Sequence, residues 1–248
     1  MTTSAEEKAE AGRRAFRRGA NEQARAAFSE SLALAGSLGD RAAEAAALNG
    51  LARVALRDAD YLELRKFADE AKAIAEELGD LPALSSAIHM LAAAARMEGD
   101  VDEARRRYDE SIALREQLGD EVHVAGELHN LGVLERHEGR LSEADELARD
   151  ALERARANAS AYLIPYGLLD FGALAALRGD GLRAARLLAA AESALQETNA
   201  VFDPDEQPEF DDAVARTRAL LGDDALTVAW QEGHALTLDA ALDEALAR

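Results

Sequence analysis

The chain has 248 residues, of which 28 are basic and 48 acidic, a formal net charge of -20. So acidic a balance excludes nucleic acid or an anionic membrane as the main partner surface, and the absence of cysteine excludes disulfides and thiolate metal sites. Apolar residues make up 48% but aromatics only 4%, so the apolar share is mostly Ala and Leu, strong helix formers that suit closely packed helices.

Met1 to Arg14 carry charges where a signal peptide needs an apolar stretch, and no apolar run reaches the roughly 18 residues of a membrane span, so the expected compartment is the cytoplasm. The first helices are expected at 4–18 and 21–38, closing on Leu38-Gly39-Asp40. The same tripeptide returns at Leu78 to Asp80 and at Leu118 to Asp120, two steps of 40 residues without drift. A period in this range marks a chain built of stacked supersecondary repeats. Other columns keep the step: Ala11, Leu51, Leu91, Leu131 and Phe171 are each followed by a small residue, Gly12, Ala52, Ala92, Gly132 and Gly172. Ala24, Leu64, Ala104, Ala144 and Ala184 form a second column, and Ser31, Ala71, Ser111, Ala151 and Ala191 a third.

The second repeat is expected to pair helices 41–57 and 61–78, the third 82–98 and 101–118. In the third, Leu84, Ile88, Leu91 and Ala95 make one apolar helical stripe. Gly99 stops that helix, Asp100 caps the next, and Glu103 completes a capping box, as Asp60 and Glu63 do one repeat earlier. Leu-Gly-Asp is therefore a helix stop followed by a helix start, with Gly119 in a left-handed turn and Asp120 as a cap. The fourth repeat pairs 121–138 with 141–157 and the fifth 161–178 with 181–198. In the fifth, Asn158, Ala159 and Ser160 replace the tripeptide and Pro165 falls in the first turns of its helix, where proline is tolerated.

After residue 198 the period fails. Asn199 to Pro208, with Pro204, reads as a polar linker, and helical segments follow near 209–221, 223–232 and 237–247. Residues 199–248 hold 12 acidic and 3 basic side chains, nearly half of the excess charge. Val214, Leu220, Leu221, Leu226, Trp230, Leu238 and Leu242 are available to cover the open apolar end of a repeat stack. The expected division is 1–198 as the repeats and 199–248 as linker and C-terminal cap.

The repeat pattern resembles tetratricopeptide repeats: Leu128, Leu131 and Gly132 on a first helix and Ala144 and Ala151 on a second match that family's signature spacing. The bulky residue of the second helix is present as Phe28, Tyr108 and Leu188 but is Ala68 and Ala148 elsewhere. The step of 40 residues, against the family's usual length of about 34, calls for longer helices. The expected fold is all-α, a right-handed superhelical solenoid of five helix pairs with a C-terminal helical cap.

The resemblance implies a concave groove lined by the first helices. Its groove positions carried over to this chain are Asn49, Arg53 and Arg57, then Ser86, His89, Met90, Arg96 and Met97, then His129, Asn130, Arg136 and His137. The flanking repeats offer Arg13 and Arg17 beside Glu6 and Glu10, and Tyr166, Leu169, Asp170 and Leu177. The central set holds four arginines and no carboxylate, a basic groove within an acidic molecule. Arginine binds carboxylates or phosphates through a planar fork, and an asparagine amide both donates to and accepts from an extended backbone. Arg57, Arg96 and Arg136 also stand in the last turns of their helices, where a cation complements the macrodipole, and both readings stay open. His89 and His129 share a signature position in adjacent repeats, with no third ligand for a metal, so none is expected. No cofactor and no catalytic motif is legible either.

The tail is similar in detail to the end of the helical-repeat region in large LuxR-type ATP-binding transcription regulators, through Ala185 to Ala191, Leu220-Leu221-Gly222 and Ala229-Trp230-Gln231-Glu232-Gly233. That resemblance implies a sensing role in bacterial regulation, in a free-standing relative or an excised piece. No Gly-rich loop ending in Gly-Lys is present to cradle a nucleotide. The leading expectation is a non-enzymatic protein-interaction module whose groove holds an acidic peptide or partner segment. The alternatives are a sensor for an anionic small molecule, an enzyme using His89, His129 or His137, and self-assembly through the apolar fifth repeat and the cap, with monomer and homodimer both open.

Overall fold

The computed structural model describes residues 4–198, 200–202 and 206–247. Among them thirteen α-helices follow one another with no strand: α1 (Ala5–Arg17), α2 (Asn21–Leu38), α3 (Arg41–Arg57), α4 (Tyr61–Leu78), α5 (Leu81–Glu98), α6 (Val101–Leu118), α7 (Glu121–His137), α8 (Leu141–Ala157), α9 (Ile164–Leu177), α10 (Gly181–Glu197), α11 (Gln207–Leu221), α12 (Asp223–His234) and α13 (Leu238–Leu246). The helices α1 to α10 form consecutive antiparallel pairs, α1 with α2 through α9 with α10, and the chain divides into two compact units, Met1–Asp120 and Glu121–Arg248. Among the described residues no helix is long and apolar enough to cross a membrane.

Two helix starts differ from expectation by two residues or more. Residues 161–163 form a turn, so α9 begins at Ile164, with Pro165 in its first turn. Its missing N–H falls where the helix has no partner for one. For the same reason Pro208 lies inside the first turn of α11, which starts at Gln207, rather than in the linker. Of the expected linker, Asn199, Asp203, Pro204 and Asp205 lie outside the described residues.

Helix length is set by a left-handed residue at every twentieth position. Gly19, Gly39, Gly79, Gly99, Gly119, Gly139 and Gly179 all have φ between 66° and 82°, and Ala59 (57°) and Ala159 (48°) hold the same conformation without glycine's freedom. Each turn is followed by a helix start. Asp40, Asp60, Asp80, Asp100 and Asp180 accept a hydrogen bond from the backbone N–H three residues on, at 3.0 to 3.2 Å. The expected capping boxes at Asp60 and Asp100 are half formed, because Glu63 pairs with Arg25 and Glu103 with Arg106 and Arg107. The full box occurs at Ser4 and Glu7, where N–H donors are satisfied in both directions at 2.8 and 3.1 Å.

In the first unit, large side chains enter spaces left by small ones. Phe28 of α2 lies against Gly12 of α1 and Gly50 of α3, and a Cβ on either glycine would meet its ring at 2.7 and 2.4 Å. Leu51, Val54, Ala15 and Ala24 close around it. Gly12 belongs to the small-residue column, whereas Gly50 lies outside any column. The serine column is functional in packing: Ser31 donates to the Ala5 carbonyl at 2.7 Å and Ser111 to the Ser85 carbonyl at 3.3 Å, tying each second helix to the start of its partner.

In the second unit α9 is the central helix, buried from Ile164 through Ala176 and packed by α7, α8, α10, α11 and α13. Leu152 sits where a Cβ on Gly167 would be, and Leu188 does the same at Gly172. The α12 helix packs on α10 so closely that a Cβ on Gly233 would stand 2.4 Å from the Arg186 carbonyl oxygen. Leu226 and Ala229 of α12, and Ala241, Leu242 and Ala245 of α13, bury their side chains, whereas Leu220 and Leu238 remain 48% and 40% exposed. Arg183 donates to the carbonyls of Glu244, Ala245 and Ala247, each at 3.0 Å, so a cation closes the C-terminal end of α13.

An L-residue in the left-handed region costs about 1–2 kcal/mol, against about 0.4–1 kcal/mol of extra unfolded-state entropy for glycine. Ala59→Gly and Ala159→Gly should therefore each stabilise the protein by up to about 1 kcal/mol. Gly233→Ala should destabilise it by about 1–3 kcal/mol, since backbone stands where the methyl would go. Urea unfolding followed by circular dichroism measures all three.

Candidate functional site

On the first unit, Asn49, Arg53 and Arg57 follow one another by four residues along α3 and so share a face. Asn49 is buried and donates its amide to the Ala83 carbonyl at 3.2 Å, joining α3 to α5. Arg57 donates to the Phe16 carbonyl at 2.6 Å while its guanidinium lies 3.6 Å from the Phe16 ring centroid. It thereby closes the C-terminal end of α1 as well as its own helix, combining carbonyl contact with a cation–π contact. Arg53 is exposed. On α5, His89 is half-buried with its ring 6.3 Å from that of Tyr108, and Arg96 is half-buried in the last turn. Ser86 donates to the Pro82 carbonyl, Met90 is buried in the core and Met97 is exposed.

On the second unit, His129, Arg136 and His137 of α7 meet carboxylates from two other elements. His129 and Arg136 are seven residues apart, two helical turns, and therefore face the same way. Both are buried, as is Asp170 of α9. His129 Nδ1 lies 2.6 Å from Asp170 Oδ2, and Nε2 lies 3.5 Å from Glu206 Oε1. Arg136 reaches Asp170 at 3.6 Å and Glu209 at 2.9 Å, and Glu209 also lies 2.9 Å from His137 Nε2. Asn130 returns its amide to the Gly126 carbonyl of its own helix at 2.9 Å.

The electrostatics follow from this geometry. Burial alone would discharge the His129 imidazole, but the adjacent Asp170 and Glu206 carboxylates outweigh it and push its pKa from 6.5 up to about 10. Burial works against the Glu209 carboxylate too, and the His137 hydrogen bond with the Arg136 charge overcomes it, leaving the pKa below the usual range. An aromatic ladder runs alongside: Tyr166 stands edge-on to His129 at 5.5 Å and to Phe202 at 5.4 Å, and Phe202 lies 5.2 Å from Phe210. The arrangement is suited to holding carboxylates, through a guanidinium fork and an imidazolium that keeps its proton at neutral pH. Among the described residues no group of three or more His, Asp or Glu side chains is placed to hold a metal ion.

Sequence reasoning named the three cations and offered Asp170, but missed Glu206 and Glu209. Asp170 is the one charged residue in the sequence of α9, and a lone carboxylate on a buried helix calls for a cation. Nothing local marks Glu206 and Glu209 among the twelve acidic residues after 198.

Residues 44–117 and 83–157, two overlapping stretches, match the family model for the tetratricopeptide repeat. No curated protein sequence matches the chain significantly. Similar solved structures include a Rap protein complexed with Competence and Sporulation Factor, at TM-score 0.72 and 13% identity, covering 98% of this chain and 68% of that one. BtubC from P. vanneervenii aligns at TM-score 0.63 and 20% identity, covering 91% of this chain and 89% of its own. A Signal Transduction ATPase with Numerous Domains that carries a tetratricopeptide repeat sensor, from Pyrococcus horikoshii, aligns at TM-score 0.68 and 16% identity. It covers 88% of this chain, which spans only 32% of that protein. At these identities the likeness is one of fold.

Removing one member of a buried pair leaves a charge uncompensated, so Asp170→Asn should cost about 3–5 kcal/mol at neutral pH, measured by urea unfolding. The folded pKa of His129 lies above the unfolded one, so its contribution is complete below about pH 6.5 and is lost as pH rises through about 10. His129→Gln should therefore flatten the alkaline decline in stability relative to the wild type.

Proposed function

We propose that this chain, whose residues 44–117 and 83–157 match the tetratricopeptide repeat, is a non-enzymatic protein-interaction module whose first helices take an acidic segment of a partner protein, in the setting of cytoplasmic bacterial regulation. The observation that carries this reading is Glu209 on Arg136 and His137, with Glu206 beside His129: α7 already holds an acidic segment, the chain's own. On the first unit, α3 offers the same chemistry with Arg53 exposed one turn from Asn49 and one turn from Arg57. The solved Rap protein, similar in fold, is held in complex with Competence and Sporulation Factor, which supports ligand capture as the use of such repeats. In this reading residues 1–198 are the repeat solenoid and 199–248 its C-terminal cap.

Catalysis by the α7 histidines is the weaker reading. His129 is committed to two carboxylates and His137 to Glu209, whereas general acid–base work needs a group free to give and take a proton at a substrate.

The test is titration of fluorescent Asp/Glu-rich dodecapeptides against the purified chain at low and moderate salt. Affinity should fall with salt, and Arg53→Glu should weaken it by about tenfold, the equivalent of about 1.4 kcal/mol, without loss of helicity. An Arg53→Glu protein that binds every peptide as the wild type does would remove the proposal. Native mass spectrometry of the same sample decides between peptide and small molecule, because a retained anion released on denaturation replaces the peptide by a small effector.

A further inference from the structure

The start of α11 is built like a ligand. Glu206 and Glu209 stand one helical turn apart, Phe210 follows, and all three are turned toward the first helices of the second unit. Glu206 is 3% exposed, and Glu209 bridges a guanidinium and an imidazole. Phe210 packs against the core that includes Tyr166 and Phe202. Carboxylates on α7 cations and an aromatic ring beside them are the contacts that the proposed function asks of a partner.

We propose that Glu206 to Phe210 is an internal ligand, occupying on α7 and α9 the site at which this chain takes a partner's helical segment with two carboxylates one turn apart and an adjoining aromatic residue. A partner binds there by displacing the start of α11. This rests on the reading of the chain as an acidic-segment binder, and it names the site and the partner's chemistry.

The way the tail is held fits such an exchange. The α12 helix is fixed to α10 by apolar burial of Leu226 and Ala229, and α13 to α9 and α10 by Ala241, Leu242, Ala245 and the Arg183 bonds. In α11 Ala213 and Thr217 are the buried residues and Phe210 and Val214 are partly buried against the same core, so its start is held by the Glu206 and Glu209 ion pairs and by the Phe210 ring against Phe202. Charged contacts suit replacement one for one. A competitor that brings its own carboxylates restores every ion pair, whereas an apolar or basic peptide leaves Arg136 and His129 without the pairs that Glu209 and Glu206 supply beside Asp170, a penalty that supplies specificity. A tethered segment competes at an effective concentration in the millimolar range, so any loss of its own contacts raises the apparent affinity of a free competitor.

The probe is a synthetic peptide with the sequence of residues 206–217, titrated against the full chain and against Glu209→Gln and Phe210→Ala variants, with hydrogen exchange followed at amides 210–213. Both variants should exchange faster there and bind the peptide about tenfold more tightly than the wild type, since each loses part of the internal competitor but none of the receiving surface. A peptide carrying Gln in place of both Glu should not bind. Variants that open at 210–213 yet bind the peptide no better than the wild type overturn the proposal, and so do variants in which the segment stays as protected as before, because it is then a strut. If that failure comes with Arg53→Glu still weakening acidic peptides, the internal ligand falls and the interaction module stands; indifference to both sets of changes removes both.

Discussion

The structure depends on a left-handed turn at every twentieth residue from 19 to 179. That conformation ends one helix and reverses the chain, and the aspartate directly after it caps the next helix at Asp40, Asp60, Asp80, Asp100 and Asp180. Because the interval never drifts, equivalent residues of successive repeats fall on equivalent faces, and one packing solution serves several times. The serine bonds show this: Ser31 and Ser111 each reach a carbonyl twenty-six residues earlier in the chain. Where the glycine is missing, at Ala59 and Ala159, the turn persists because the helices on either side over-determine it.

With few aromatics, close packing comes from alanine columns that let helices approach, interrupted by single large side chains. Ala24, Leu64, Ala104, Ala144 and Ala184 are all essentially inaccessible. Phe28, Leu152 and Leu188 each lie against glycine, so volume lost on one helix is regained from its neighbour. The second unit departs from this economy. Its α9 is enclosed by five helices, two of them from the non-repeating tail, and it carries one charge into the interior.

That charge organises the polar cluster. Asp170 reaches His129 and Arg136, Glu206 reaches His129 and Glu209 reaches Arg136, so α7, α9 and α11 are joined through a single set of ion pairs. Such pairs stabilise less than apolar packing would, since desolvation offsets much of the attraction. What they provide is selectivity, because each buried cation accepts only a carboxylate in place. The same arginines and histidines serve a structural contact, and in the proposed reading they set the chemistry of a partner.

The sequence by itself determined the helix pairs, their step, most of their starts and stops, and which positions of α3, α5 and α7 carry cations. These are local or periodic properties, fixed by backbone conformation at Gly and Asp and by spacing along one helix. Only the tertiary structure decided what those basic residues meet. Arg57 meets the end of α1, Asn49 the carbonyl of Ala83, and the cations of α7 meet carboxylates more than seventy residues away or on the following first helix. Glu206 and Glu209 lie where the period has already failed. No repeat rule places them, and with acidic residues so abundant in the tail, only the path of the chain into α11 selects which two reach a buried cation.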